Sequence, residues 1–431
     1  MFVRKIERCS RLRCQILAVS LVGLTGCGGG LVPGSDGADS ILGSFALETP
    51  ATHQESNAND LLELAEFVDL ASGTEIIDGS ISDETDVDVF DLGPVVPGDH
   101  VLVSVSPQAD LKGAVALFDD AGAALLVNDH RNVYLGRQGP FIDLVIRRAS
   151  SSCLVALSAT PGFASSGDYT LGASVEFPAP IPEPEPDVIL LDFDGASNVR
   201  ISTRPPVDVP AFDAADIDES LAGDTDALIQ RIVEKVREDF QPYNVTILST
   251  SEGATAGNGV TSVYFGRFDP ALLGVAEGVD EYNATSGQSA IVFTDTFEAF
   301  MILRPTLGEL SQSIANVASH EIGHLLGLVH TQDPGDIMDV TASLRALMLD
   351  QDFGFAPLYQ GVFPIGSQDS AQLLLDSVGG DAGLAFGKVR NPQAARNDPY
   401  NLNPSKEEKP ARESRRFGSC SLDRRTPAWE K

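Results

Sequence analysis

Cysteine and histidine are both scarce in this 431-residue chain, five of the first and six of the second. Five scattered cysteines exclude a disulfide framework. Cys9, Cys14 and Cys27 fall in the first 27 residues, which leaves Cys153 and Cys420, a pair that could join only in an oxidising compartment. Basic residues are also short: 29 Lys and Arg face 62 Asp and Glu, a formal net charge of −33. Residues 1–26 carry five Lys/Arg and one Glu, and residues 388–431 carry eleven Lys/Arg and six acids, so the body between them is more negative still. A body of that charge argues against nucleic acid as partner and for a self-repelling, exported monomer. No apolar run reaches the roughly 20 residues of a membrane span; the stretch Ile16–Leu24 is too short. No EF-hand spacing is present.

Three of the six histidines fall in one eleven-residue run, His320-Glu321-Ile322-Gly323-His324-Leu325-Leu326-Gly327-Leu328-Val329-His330. Its pattern is H-E-x-x-H-x-x-G-x-x-H. On a helix, positions i and i+4 share a face, so His320 and His324 can offer two imidazoles to one ion. Glu321 then lies beside the ion without being its natural third ligand. Gly327 can take the left-handed conformation that ends a helix, after which His330 can return as a third nitrogen ligand. Three protein ligands on zinc leave a fourth position open, the arrangement of a catalytic rather than a structural site.

This run resembles the zinc motif of the metzincin metallopeptidases, which is followed by a methionine turn. Asp336-Ile337-Met338-Asp339 supplies a candidate turn, with Met338 eight residues past His330. That short link is similar to the matrixin branch. The resemblance implies a zinc endopeptidase in which His320, His324 and His330 hold one zinc ion. It further implies that Glu321 is the general base and that Met338 lies beneath the metal as an apolar floor. It allows structural calcium as well. No tyrosine follows Met338 closely, and no cysteine stands in a Pro-Arg-Cys-Gly context that would give a cysteine switch.

The resemblance implies an α/β (α+β) catalytic domain with a mixed twisted sheet, and the flanking pattern fits it. Leu310, Ile314, Val317, Ile322, Leu325 and Leu326 make a helical stripe that predicts an active-site helix beginning near Glu309. Leu228, Ile229, Ile232, Val233, Val236 and Phe240 predict a second helix over 224–240, capped by Asp224 or Thr225 and stopped by Pro242. Val188–Phe193, Val245–Leu248 and Ala290–Asp295 read as strands. The resemblance implies an edge strand that pairs with an extended substrate, and it is placed in the region of 272–295. Asp192-Phe193-Asp194-Gly195 reads as a strand end with a glycine turn in preference to a metal loop.

Residues 1–26 read as a signal peptide: a basic start, a short apolar stretch, then Leu24-Thr25-Gly26-Cys27, which resembles a bacterial lipobox. The resemblance implies lipid on Cys27 and a membrane anchor, in the outer membrane if the cell is Gram-negative, with the body periplasmic or at the cell surface. Residues 27–59 read as a flexible tether, 178–186 as a proline-rich linker, 187–387 as the peptidase domain and 388–431 as a disordered tail. Between tether and linker, 60–177 reads as an all-β sandwich of short strands separated by turns. Its Asp86-Val87-Asp88-Val89-Phe90, Leu117–Gly122, Asn128-Asp129 and Gly167–Leu171 segments resemble the bacterial pre-peptidase C-terminal domain, although here they precede the peptidase. Three functions are therefore weighed. One is a zinc endopeptidase acting on protein or peptide substrates. Another is a surface-binding lipoprotein in which the sandwich is the working module and the peptidase domain is inactive. The third is a zinc hydrolase that uses the same site on a non-peptide amide.

Overall fold

The structure is a computed structural model, and it describes residues 51–55, 59–108, 110–129, 140–176 and 178–387. The expected signal peptide, Cys27, most of the tether, Cys420 and the 388–431 tail lie outside the described residues. Among the described residues, no helix is long and apolar enough to cross a membrane.

Among the described residues, the N-terminal half is built from ten strands. They are β1 (Ala51–Gln54), β2 (Glu66–Phe67), β3 (Thr74–Ile81), β4 (Val87–Asp91), β5 (His100–Pro107), β6 (Gly113–Phe118), β7 (Ala124–Asp129), β8 (Phe141–Val145), β9 (Leu154–Ala159) and β10 (Gly167–Glu176). They form two five-stranded sheets, in the orders β1-β3-β10-β5-β8 and β2-β4-β9-β6-β7. Alternation along β5 turns Val101, Val103 and Val105 into a shared core with Tyr169, Leu171 and Ala173 of β10 and Val115, Leu117, Val155 and Leu157 of the facing sheet. Cys153 is a buried free thiol in this core, pushed up to about 12 by burial. The first strand begins earlier than expected: β1 pairs in parallel with β3 inside the segment read as tether.

The second half starts with β11 (Asp187–Asp192), β12 (Ala196–Val199), β13 (Val207–Val209), α1 (Ala214–Ile217), α2 (Thr225–Phe240), β14 (Val245–Ser249), β15 (Thr261–Phe265), β16 (Gly274–Ala276) and β17 (Ser289–Val292). It continues through α3 (Leu307–Leu325), α4 (Leu344–Leu347), β18 (Phe355–Pro357), β19 (Ser367–Asp369), α5 (Ser370–Val378) and α6 (Ala382–Gly387). The main sheet has the order β14-β11-β15-β17-β16 and is parallel except for β16, which runs antiparallel to β17 at the edge. Helices α2 and α3 cover it, with Leu228, Ile232, Val236, Ile314, Val317 and Ile322 in one core with the strands.

Two local readings are revised. Helix α2 has Asp224 at its N-cap, but no side chain caps it. The Thr225 hydroxyl instead accepts from Ala214 N and donates to Asp213, tying α2 to the start of α1. Helix α3 starts two residues before the expected Glu309, because Thr306 and Glu309 form a capping box. Thr306 Oγ1 accepts from Glu309 N at 3.2 Å, and the Glu309 carboxylate accepts from Thr306 N at 2.7 Å.

The two halves share an apolar cluster. Strands β6 and β9 are buried on both faces. Their inner side chains fill the sandwich, while Ala114, Ala116, Phe118, Leu154 and Ala156 face outward onto Leu358, Val362 and Phe363. Phe118 and Phe363 pack with ring centroids 5.9 Å apart. Polar contacts join the same seam: Tyr282 Oη donates to Leu125 O at 2.8 Å, and Arg148 Nε lies 3.1 Å from Asp376 Oδ2. The proline-rich segment is pinned at both ends, by Ala179 N to Gly98 O and by Glu185 N to Ser377 O.

Candidate metal centre

Helix α3 is buried from Leu310 to its end, so its polar residues are held without solvent. His320 and His324 lie one turn apart on it. Their Nδ1 atoms lie 2.7 Å from Ile337 O and 2.8 Å from Leu328 O. A carbonyl oxygen can only accept, so both Nδ1 atoms carry the proton and both Nε2 atoms present lone pairs. Those two Nε2 atoms are 3.2 Å apart, and His330 Nε2 is 3.1 Å from that of His324. Two bare acceptors at that distance repel unless a cation lies between them. A tetrahedral zinc ion with bonds of about 2.0–2.1 Å would space its nitrogens by roughly 3.3 Å. The residues therefore fit a zinc ion. Among the described residues, these three histidines are the one group of three His, Cys, Asp or Glu side chains that could hold a metal. The calcium allowed by the resemblance finds no such cluster.

Burial tunes the imidazoles toward metal binding. It pushes His320 down to about 4, partly offset by the hydrogen bond to Ile337 O. His324 is held well below its ordinary value, by burial first and then by His320 beside it. Both rings are neutral at pH 7, as a metal ligand must be.

The turn that returns His330 is a Schellman motif. Gly327 N donates to His324 O at 3.0 Å and Leu328 N to Gly323 O at 2.9 Å, with Gly327 at φ +102°. A side chain at Gly327 would also meet Tyr282 N at 2.9 Å and Asp280 O at 3.0 Å, so only glycine fits. His330 O then accepts from Tyr359 N, and Thr331 N donates to Met338 O, each at 3.0 Å.

Met338 is fully buried, and its sulfur fills the space that a side chain at Gly323 would need. The turn around it is organised by Asp336, whose Oδ1 accepts from Met338 N at 2.7 Å. Burial pushes the Asp336 carboxyl up to about 8.

Glu321 is buried and points toward the sheet edge. A Cβ added to Gly274 of β16 would lie 2.4 Å from Glu321 Oε1. The glycine thus makes the space for the carboxylate. Sequence reasoning placed an edge strand in this region but missed Gly274; the signal was a glycine inside a short apolar run, which marks a close approach. Tyr359 was also missed. Its ring lies edge-on to His330 with centroids 6.4 Å apart, although it follows Met338 by 21 residues.

Residues 221–353 match the family model of the matrixins, a segment that includes every residue just described except Tyr359. No curated protein matches the chain significantly. Among solved structures, an archaemetzincin from Methanopyrus kandleri is 16% identical, with 45% of this chain and 95% of that one covered and a TM-score of 0.24. The pre-peptidase C-terminal domain of a collagenase from Bacillus anthracis is 12% identical, covering 30% of this chain and 97% of that domain at a TM-score of 0.20. A periplasmic inhibitor of g-type lysozyme from Aeromonas hydrophila is 13% identical, covering 30% of this chain and all of that one at 0.21. TM-scores of this size leave the functional reading to the matrixin match and to the site.

Proposed function

We propose that this protein is a zinc-dependent endopeptidase that hydrolyses peptide bonds with Glu321 as general base. One observation carries the reading: three imidazole Nε2 atoms converge within hydrogen-bond distance, two of them on rings whose protons are committed to backbone carbonyls. His320, His324 and His330 would hold the ion, which supplies a Lewis acid that acidifies water and polarises a carbonyl. Glu321 Oε1, set against Gly274, takes a proton from the attacking water and delivers it to the leaving amine. No bond forms between protein and substrate. Strand β16, antiparallel and at the sheet edge, offers backbone groups to an extended peptide. Burial of the site keeps its charges in a medium where they act strongly.

The test is hydrolysis of a mixed peptide library, beside a panel of non-peptide amides, with and without a metal chelator. Chelator-sensitive cleavage of internal peptide bonds supports the reading. Cleavage confined to non-peptide amides would assign a different hydrolase to the same site. Stoichiometric zinc without cleavage of either set would favour the surface-binding alternative. Lipid on Cys27 and an exported location rest on the sequence. Mass analysis of the mature N-terminus from a bacterial host tests them, a diacylglyceryl adduct on Cys27 being the expected result.

A further inference from the structure

His320 and His324 are positioned by their own helix, but His330 lies beyond the end of α3, on chain with no repeating structure. Something outside the helix must fix it. The Gln368 side chain is 1% exposed and grips both backbone groups of the preceding residue. Its Oε1 accepts from Val329 N at 2.8 Å, and its Nε2 donates to Val329 O at 2.9 Å. The second amide hydrogen goes to Ser370 Oγ at 3.0 Å. Val329 needs one acceptor and one donor, so the orientation of the amide is dictated by its partner. These are the two bonds a neighbouring strand would supply, delivered by one side chain.

Gln368 is itself held by the other half of the molecule. It sits in β19, paired with Ala356 of β18. The residue before it, Ser367, forms a parallel bridge to Ala123 and donates from its N to Gly122 O at 2.9 Å. Gly366, at φ +86°, lies so close to the Phe118 ring that no side chain could fit there. A continuous set of contacts therefore runs from the 118–123 turn of the sandwich through β19 and Gln368 to Val329 and His330.

We propose that Gln368 is a positioning residue for the third metal ligand, and that the β-sandwich is the wall on which it is fixed. The proposal rests on His330 being a ligand, as read above, and assigns to residues 51–176 a part in building the metal site. Groups that orient metal ligands typically contribute about 10–100-fold to metal affinity.

The experiment uses the full chain and zinc alone as the probe, by competition with a chromogenic chelator. The variants are Gln368→Leu, Gln368→Asn and Gly366→Ala, with His330→Ala as reference. Gln368→Leu keeps the reach and removes both bonds; Gln368→Asn keeps the amide but is too short to make both. Far-ultraviolet circular dichroism confirms folding, and if Gln368→Leu does not fold, Gln368→Asn carries the test. Zinc affinity is expected to fall about tenfold or more in Gln368→Leu and by less in Gln368→Asn. Gly366→Ala, which pushes β19 off Phe118, should also lose affinity. Cobalt(II) substitution adds a readout that mere loss of stability does not move: the visible bands of the Gln368 variants should shift or weaken. Wild-type affinity and an unchanged cobalt spectrum in folded Gln368 variants, with zinc binding lost in His330→Ala, overturns the proposal and leaves the metal site standing. Wild-type affinity in His330→Ala as well removes the ligand and overturns both.

Discussion

At the scale of single residues, the account turns on which atom faces the metal. His320 and His324 commit Nδ1 to carbonyls and turn Nε2 inward. His324→Ala removes one of three ligands and should abolish zinc retention through dialysis, as read by elemental analysis; retention of one zinc per chain would contradict the assignment. Gly274 gives a finer test, because its φ is unexceptional and only space is at stake. Gly274→Ala forces a methyl group into the Glu321 carboxylate. A displacement of about 1 Å at a catalytic group can cost roughly a hundredfold in rate. The expected result is a loss of kcat of that order with zinc content unchanged, and full activity would show that Glu321 needs no such cradle. These residue-level roles were legible because H-E-x-x-H-x-x-G-x-x-H encodes helix geometry directly. Gly274 and Gln368 were not, since nothing in the sequence ties Gly274 to Glu321, 47 residues further along the chain, or Gln368 to His330, 38 residues before it.

At the scale of elements, the methionine turn carries a titration. Asp336 is pushed up to about 8 by burial, against an ordinary 3.8. The folded state therefore keeps a proton that the unfolded chain releases near pH 4. Its contribution to stability is fully present below that value and is lost as pH rises through about 8. The metal-free protein should lose thermal stability between pH 5 and 8 through this group. Asp336→Asn, which keeps an acceptor for Met338 N, should flatten that part of the profile. An identical slope in the variant, measured by calorimetry across the range, would remove Asp336 as its source. Helix α3 was readable from its apolar stripe, and its start at Leu307, two residues before Glu309, is set by the reciprocal cap of Thr306 and Glu309, which periodicity does not register. The short link to Met338 was visible in the sequence; the role of the Asp336 carboxyl within it depends on burial, which was not.

At the scale of the whole molecule, the sandwich and the catalytic half meet over a largely apolar seam. The runs Ala114–Phe118 and Leu154–Ala159 are nearly all apolar, without the alternation of a strand that faces water on one side. Such runs mark strands covered on both faces. The signal that the sandwich is packed against something was therefore present, but its partner, Leu358 to Phe363, lies some two hundred residues away and carries no complementary pattern. Reading residues 60–177 as a spaced module followed from the proline-rich segment, which in the structure is hydrogen-bonded to both halves. Cutting a buried phenylalanine to alanine typically costs about 3–5 kcal/mol. Phe363→Ala should lower the midpoint of a single calorimetric transition that unfolds both halves together. Two separate transitions in the wild-type protein, with only one moved by the substitution, would show that the seam does not couple them.

The central claim is that a metal held by three histidines acts together with Glu321 on a peptide bond. The most direct measurement compares the wild-type chain with Glu321→Gln for bound zinc and for cleavage of the same peptide. The account predicts one zinc per chain in both, cleavage by the wild type, and a loss of turnover of at least about a hundredfold in the variant. Equal cleavage by the two proteins, or a folded wild-type chain that binds no zinc, would contradict it.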